Sequence, residues 1–216
     1  MIIDLHIHSK YSFDSIQSPS KIIKIAKKNL DGIAITDHGT IKGGLEAKKI
    51  NKDPNLIVIV GCEINTEIGD IIGLFLNKEI NSRNSMEVIR EIKAQDGIVV
   101  LPHPYRGHKL NEELLNSVDA IEGFNARSTI EENEKGMELA KKYNKPIVAG
   151  SDAHFTSEIG NAKCCINEEI GDLKLALLSH KKIYCNPSPQ HYKEISQIIK
   201  SFKMRKIKKF RFKSYI

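Results

Sequence analysis

The chain has 216 residues, of which 40% are hydrophobic and 28% charged, and its net charge is +6 at pH 7. This composition is ordinary for a single soluble domain, and no apolar run approaches the ~20 residues that span a bilayer. The first residues lack the basic, apolar and small-residue segments of a signal peptide, so we expect a cytoplasmic protein.

Runs rich in Ile and Val alternate with helical stretches along most of the chain. The strand-like runs cover residues 2–7, 32–36, 56–62, 97–101, 119–124, 146–150 and 182–185. Predicted helices cover about 18–29, 41–50, 83–95, 129–144 and 170–180, and a hairpin of Glu63–Ile68 with Asp70–Leu76 is predicted as an insertion. Because continuous apolar strands separated by helices indicate a parallel sheet covered on both faces, seven such runs predict an α/β barrel.

The end of the chain differs from the rest in charge. Residues 200–216 carry +8 with no acidic residue, which leaves −2 on the remainder. Apolar residues interleave with the lysines at helical spacing, so we predict a domain at 1–189 and a basic amphipathic helix, leaving that domain, at 190–216. Such a helix can attract nucleic acid through counterion release, or it can be solvated or pack on a neighbouring barrel.

Carboxylate and imidazole side chains recur at the ends of the predicted strands. They are His6, His8, Asp14, Asp37, His38, Glu63, His103, Asp152 and His154. A His-x-His pair in a strand points both rings to one face but is a weak signal alone. Charged and imidazole groups that repeatedly follow apolar strands are costly to bury unpaired, so the pattern predicts one polynuclear metal site. The other histidines, His108, His180 and His191, lack this placement and are expected to be solvated.

The order of these motifs resembles the PHP (polymerase and histidinol phosphatase) superfamily. The matching segments are His6-Ile7-His8, Asp14, Thr36-Asp37-His38, Gly61-Cys62-Glu63, Pro102-His103-Pro104 and Gly150-Ser151-Asp152-Ala153-His154. The resemblance covers about residues 1–185 and is nearest to the small stand-alone phosphoesterase branch. It implies a distorted seven-stranded (βα) barrel with two or three divalent ions, usually Mn, Fe or Zn.

The resemblance also implies which ligands share an ion. A first ion would lie among His6, His8, Glu63 and Asp152; a second between a bridging Glu63 and His103; and a third among Asp14, His38 and His154. The chain departs from the family pattern at Asn125 and Asp70, where relatives have histidines. Either an oxygen of one of these two residues completes the ligands of the second ion, or this position binds its ion weakly or only in the presence of substrate. Asp70 is otherwise expected to be a turn residue.

The expected activity is hydrolysis of a phosphate ester by a metal-activated water. Clustered divalent ions lower the pKa of a shared water and neutralise the phosphoryl oxygens. The proton for the leaving group is expected from His154, or from Asp14 or His38 where the third position is empty. Asp37 is expected either to orient an imidazole ligand or to cap the next helix.

The expected substrate is nucleotide-like or a small phosphorylated molecule, with histidinol phosphate as the alternative. Arg106 and Arg127 are candidates to fork onto phosphate oxygens. Lys10 and Tyr11 are candidates for contacts with a phosphate or a base. A non-catalytic module that binds RNA or a partner through the basic tail is an alternative of another class, which the near-complete ligand set disfavours. Hydrolysis of C–N bonds at the same ions is a further alternative.

Overall fold

A computed structural model describes residues 1–179 and 182–213, without the side chains of Glu168 and of residues 206–213. The strands are β1 (Ile2–Ile7), β2 (Gly32–Ile35), β3 (Ile57–Thr66), β4 (Gly69–Leu74), β5 (Ile98–Leu101), β6 (Ala120–Asn125), β7 (Ile147–Gly150), β8 (Ala162–Cys165) and β9 (Lys182–Cys185). The helices are α1 (Pro19–Ala26), α2 (Lys42–Ile50), α3 (Ser85–Lys93), α4 (Glu112–Ser117), α5 (Ile130–Lys142), α6 (Leu173–Leu178) and α7 (Gln190–Lys213). None of these helices is both long and apolar enough to cross a membrane. His180, at the end of the predicted helix 170–180, lies outside the described residues.

Strands β1 to β7 form a nearly closed barrel. The sheet order is β7-β6-β5-β4-β3-β2-β1-β8-β9. Strands β1, β2 and β3 are parallel to one another, as are β5, β6 and β7, and β4 joins the two sets because it pairs antiparallel with both β3 and β5. A parallel bridge between Ile7 and Ala153 brings the end of β1 to the residues after β7. This is the predicted distorted seven-stranded α/β barrel.

The seventh strand of the barrel is not the one that the sequence predicts. The hairpin predicted as an insertion supplies it as β4, within the sheet. The run at 182–185 forms β9 at the edge of the sheet, where it pairs antiparallel with β8. Strand β8 and helix α4 are absent from the prediction; β8 reads Ala-Lys-Cys-Cys and so lacks the Ile and Val that mark the other strands.

Two layers of apolar side chains build the domain. Ile3, Ile59, Leu74, Val100 and Val148 belong to the cluster that fills the barrel. Other clusters pack the helices against the outer face of the strands. Burial of each aliphatic side chain contributes about 1.5–3 kcal/mol to the free energy of folding. The interior becomes polar at the carboxyl ends of the strands, which is where α/β barrels place their functional groups.

Helix α7 does not leave the domain at its first residue. The hydroxyl of Tyr192 accepts a hydrogen bond of 2.7 Å from Ser157. Eleven residues further along, the ammonium of Lys203 donates to the backbone oxygen of Ser12 at 2.6 Å. Helix α7 therefore stays on the barrel from Tyr192 to Lys203, and the prediction that it leaves the domain is wrong for this segment. The domain division at 1–189 and 190–216 stays a prediction.

Candidate metal centre

All eight predicted ligands lie together at the carboxyl ends of the barrel strands. Their ligand atoms form three overlapping groups: His6, His8 and Asp152; His6, Glu63 and His103; and His8, Asp14, His38 and His154. All but His38 are buried. The structure thus brings the set together, and its binding of ions stays a prediction.

Glu63 lies at the centre of the ligand cluster. Its Oε1 is 3.0 Å from Nε2 of His103. Its Oε2 is 3.3 Å from Nε2 of His8 and 3.2 Å from Nδ1 of His38. The two carboxylate oxygens therefore face imidazoles of different ligand groups, which is the arrangement that a bridging carboxylate requires.

The hydrogen bonds of Nδ1 in three histidines allow Nε2 of each ring to face the cluster without a proton. Nδ1 of His154 lies 2.8 Å from the backbone oxygen of Asp152, and because a carbonyl only accepts, this nitrogen carries the proton. Nδ1 of His6 likewise lies 3.0 Å from a carboxylate oxygen of Glu122. Nδ1 of His8 lies 3.0 Å from Oγ of Ser12. Each ring can thus present an unprotonated Nε2 to the cluster, as a metal ligand does.

Glu122, which is not among the residues predicted from the sequence, supports the cluster from β6. Besides His6, it accepts hydrogen bonds of 2.9 Å from the backbone N–H of His103 and from the amide of Asn125. A carboxylate that receives the second N–H of a ligating imidazole orients the ring and raises its basicity. The signal was present in the sequence as a lone acidic residue between Ile121 and Gly123 in an apolar run.

Asn125 does not turn its oxygen toward the second metal position. Oδ1 accepts a hydrogen bond of 2.9 Å from the backbone N–H of Arg127, which can only donate. The amide nitrogen therefore faces Glu122 and Asp152. The alternative in which Asn125 completes the second position with an oxygen is wrong for this geometry. The second ligand group consists of Glu63, His6 and His103.

The third ligand group is centred on Asp14. Its Oδ2 lies 3.2 Å from Nε2 of His38 and 3.2 Å from Nε2 of His154. Its Oδ1 is buried and has no hydrogen-bond partner among the described residues. The ring of Phe13 stacks on His38 with 4.4 Å between centroids and so holds that imidazole in place.

The donor set and its spacing fit divalent cations. Nε2 of His6 and Nε2 of His8 lie 3.1 Å apart, a spacing at which two ring nitrogens share either a proton or a cation that replaces it. Two ligands each about 2.0–2.1 Å from one ion can have this separation. Imidazole with carboxylate oxygen suits Zn, Mn and Fe. Two ligands, His103 (φ +29°) and Asp152 (φ +54°), also have left-handed backbones, a strain that concentrates at functional sites.

Opposite charges within the cluster stabilise one another. Burial raises the pKa of Glu63 and Asp152, but nearby positive charges outweigh this effect and hold the pKa of both carboxyls well below the usual range. For Glu63 these charges are on His38 and His6. For Asp152 they are on Arg106 and His6. Burial lowers the pKa of His8, but hydrogen bonds to Asp152 and Glu63 raise it to about 10. The carboxylates are therefore ionised and available to a cation.

Asp37 has neither of its two predicted roles. Its Oδ1 and Oδ2 accept hydrogen bonds of 2.5 and 2.7 Å from the backbone N–H and hydroxyl of Ser9. The N–H of Ile41, at the start of α2, is bound by Glu79 instead, at 2.9 Å. Asp37 therefore fastens the loop after β1 to the end of β2, and among the described residues it makes no hydrogen bond to an imidazole.

The residues that were predicted to contact the substrate differ in their position relative to the cavity. The cavity at the metal centre is bordered by Asp14, His38, Glu63, Asp152 and His154. Lys10 and Tyr11 do not border it and both bind Glu46 on α2, at 3.2 and 2.6 Å, so their contacts with substrate gain no support from the structure and stay a prediction. Arg106 borders the cavity, with one N–H on Asp152 at 2.7 Å and a side chain that is 36% exposed. Its contact with a phosphate stays a prediction.

The guanidinium of Arg127 is already occupied. It makes two hydrogen bonds of 2.8 Å with Glu158, and both side chains are buried. Glu158 in turn accepts a hydrogen bond of 3.1 Å from the backbone N–H of His154. Arg127 therefore holds the loop that carries a ligand, with Nε and Nη2 engaged by the protein; it also borders the cavity, and its contact with a phosphate stays a prediction.

Asp70 and His108 meet at the rim of the cavity. Asp70 is in β4 rather than in the turn, and its carboxylate accepts a hydrogen bond of 2.9 Å from Asn65. It borders the cavity but belongs to none of the ligand groups. The prediction of a solvated His108 is wrong, because its ring is half-buried, donates to the backbone oxygen of Asp70 at 2.8 Å and lies 5.6 Å from the ring of His103.

Comparisons with known proteins agree with this geometry. A family model described as PHP domain matches residues 4–207. An uncharacterized protein of Methanocaldococcus jannaschii is 43% identical over 141 residues, 58% of this chain and 82% of its own length. A second protein of that organism, also uncharacterized, is 36% identical over 174 residues, 75% of this chain and 69% of its own.

A solved structure shares the fold. It is a two-domain protein of Bacteroides vulgatus that contains a predicted PHP-like metal-dependent phosphoesterase, with a TM-score of 0.72 at 18% identity. The match covers 86% of this chain and 65% of the Bacteroides protein, so the chain spans just under two thirds of that relative. At this identity the likeness concerns the fold alone.

Proposed function

This chain belongs to the PHP domain family, and from that premise we propose that it is a metal-dependent phosphoesterase for a small phosphorylated or nucleotide-like substrate. The observation that carries the proposal is the central position of Glu63, within 3.0 to 3.4 Å of four imidazoles. Divalent ions bound in this cluster would supply an activated water and neutralise the charge of the phosphoryl oxygens.

The residues around the ligands orient the reacting groups and limit access of water. Glu122 and Ser12 fix two imidazoles, and burial of the whole cluster strengthens every electrostatic contact inside it. Arg106 borders the cavity and donates from Nη2 to Asp152 at 2.7 Å and from Nη1 to Asn125 at 3.4 Å. This position suits a hydrogen bond to a phosphoryl oxygen of the substrate.

The third ligand group has two alternative roles. With an ion bound, Asp14, His38 and His154 act as ligands. Without one, the two imidazole nitrogens that face Oδ2 of Asp14 hold a proton there for the leaving group. The structure favours the ligand role for His154, because its Nδ1 proton is engaged by a backbone oxygen and burial lowers its pKa.

The rival functions differ in what they require. A non-catalytic module does not need buried, mutually oriented carboxylates, which are costly to keep without a cation. Hydrolysis of C–N bonds uses the same ligands, so only the choice of substrate separates it from phosphoester cleavage. Histidinol phosphate is one phosphomonoester among those to be compared.

The test is a substrate panel with metal-loaded protein. It contains phosphomonoesters, among them nucleotides and histidinol phosphate, together with phosphodiesters and amides. We expect a phosphoester to be hydrolysed and the rate to fall about 100-fold or more in Glu63→Gln, since loss of even an outer partner costs ~10–100-fold. The control is Glu131→Gln, an exposed glutamate on α5. Hydrolysis of amides alone, or a folded Glu63→Gln with the wild-type rate, would overturn the proposal.

A further inference from the structure

Helix α7 crosses the mouth of the metal centre. Near its start, Tyr192 binds Ser157 in the loop after β7. Further along, Lys203 donates hydrogen bonds of 2.6 Å to the backbone oxygens of Ser12 and Ser15 in the loop after β1. These two loops carry residues of the third ligand group, so the helix is fastened on both sides of that group.

One face of α7 forms a wall of the cavity that contains the ligands. Lys193, Ser196, Gln197 and Lys200 border this cavity. Their spacing of three, four and seven residues places them on one face of a helix. The cavity has a volume of about 230 Å³, below the ~300–1,000 Å³ of pockets for drug-sized ligands. It therefore suits a phosphoryl group with a small part of the molecule that bears it.

Neither of the two lysines on this face forms a salt bridge in the part of the chain that the structure describes. None of the salt bridges within the described residues involves Lys193 or Lys200, although both side chains are half-buried. Burial and the nearby Arg106 lower the pKa of the Lys193 ammonium. Lys193, Lys200 and Arg106 thus bring three cations to the cavity, and the acids nearest Lys193, which are Glu132 and Asp152, form no salt bridge with it among the described residues.

The lysines approach the ligand cluster from different sides. Lys193 lies near Arg106 and Asp152, beside the first ligand group. The ammonium of Lys200 lies 4.7 Å from the ring centroid of Phe13, which stacks on His38 in the third group. Seven residues of helix separate the two Cα atoms by about 10.5 Å.

We propose that Lys193 and Lys200 bind the phosphate of the substrate, and that α7 thereby selects small phosphomonoesters. An ammonium supplies donors and charge to phosphate oxygens, and a monoester dianion gains more from two cations than a diester monoanion does. The helix across the mouth also leaves no path for a long polynucleotide chain on that side. The substrate preference rests on the proposed phosphoesterase function, whereas binding of phosphate by the lysines does not.

The primary test measures binding, independently of turnover. Inorganic phosphate is titrated calorimetrically into metal-loaded wild type, Lys193→Gln, Lys200→Gln and the double variant. We expect phosphate to bind about tenfold more weakly to each single variant, equivalent to ~1.4 kcal/mol, and with unchanged metal content. The matched control is Arg205→Gln, which removes an exposed positive charge of the same helix outside this cavity.

A second measurement compares turnover of p-nitrophenyl phosphate and bis(p-nitrophenyl) phosphate. We expect KM for the monoester to rise about tenfold in each single variant with a smaller change in kcat, and Lys→Arg variants to restore most of the loss. Phosphate affinity within twofold of wild type in both folded variants, or an equal loss in Arg205→Gln, would overturn the inference. If no phosphoester is hydrolysed but the lysine variants lose phosphate, the proposed function fails while phosphate binding by α7 stands.

Discussion

The Nδ1–H of His6 donates a hydrogen bond of 3.0 Å to Glu122, and the opposite nitrogen of that ring faces Glu63 at 3.4 Å. One buried carboxylate thus determines the direction in which another carboxylate meets the imidazole. The ligand cluster therefore depends on residues that do not themselves face an ion.

We predict that Glu122→Gln lowers metal affinity about 10–100-fold while the protein stays folded. A glutamine side chain has one oxygen, so it cannot accept hydrogen bonds from His6, His103 and Asn125 on both of its terminal atoms. Competition with a chromophoric chelator measures the affinity, and Glu131→Gln is the surface control. Equal affinity in Glu122→Gln and wild type would show that this carboxylate does not position the ligand.

Arg127 gives a prediction about stability. Replacing it with Met leaves Glu158 buried without its charge partner, so we expect a loss of about 3–5 kcal/mol in the free energy of unfolding. Adding Glu158→Gln should recover part of this loss, because the unpaired charge is then removed. Urea denaturation of the single and double variants measures both. A loss below about 1 kcal/mol in Arg127→Met would contradict a structural role for the pair.

Lys203 gives a prediction about the mobility of α7. Its ammonium donates to three backbone oxygens, those of Lys10, Ser12 and Ser15. In Lys203→Met we expect hydrogen exchange across residues 193–200 to become at least about tenfold faster, because one fastening of the helix is lost. Metal content should not change, since no ligand lies in this helix. Mass-spectrometric exchange, with Arg205→Met as control, measures the effect, and unchanged protection would show that Lys203 is not needed to hold the helix.

The basic end of the chain gives a prediction about partners. Residues 205–213 contain Arg205, Lys206, Lys208, Lys209, Arg211 and Lys213 with no acidic residue. If they bind a polyanion, deletion of residues 206–216 should abolish salt-sensitive binding to RNA or single-stranded DNA while metal content stays the same. Fluorescence anisotropy at several salt concentrations tests this, and equal binding by both proteins at low salt would exclude that role.

The strands and ligands were predictable because their signals are local. Runs such as Ile2–Ile7 are long enough to show as apolar strands, and a polar residue at the end of a strand has few other reasons to be there. The same logic identified all eight residues that the structure brings together. The β3–β4 hairpin was also recognised, but its place inside the sheet depends on pairing with β5, which is a long-range contact.

The orienting residues and the role of α7 were not predictable, because they depend on tertiary contacts. Glu122 and Arg127 bind partners that are 116 and 31 residues away along the chain. From the sequence alone, the lysines of α7 are expected to be solvated. Their position at the cavity depends on the contacts by which Tyr192 and Lys203 hold the helix against the barrel. A helix stripe shows which residues share a face, but not what that face covers.

The central claim is that the cluster around Glu63 binds more than one ion. Elemental analysis of metal-reconstituted wild type and Glu63→Gln, after removal of free metal, tests it most directly. We expect two or three divalent ions per chain in wild type and a loss of at least one in the variant, because its side chain no longer offers two charged oxygens. One ion or fewer per chain in correctly folded wild type would contradict the account.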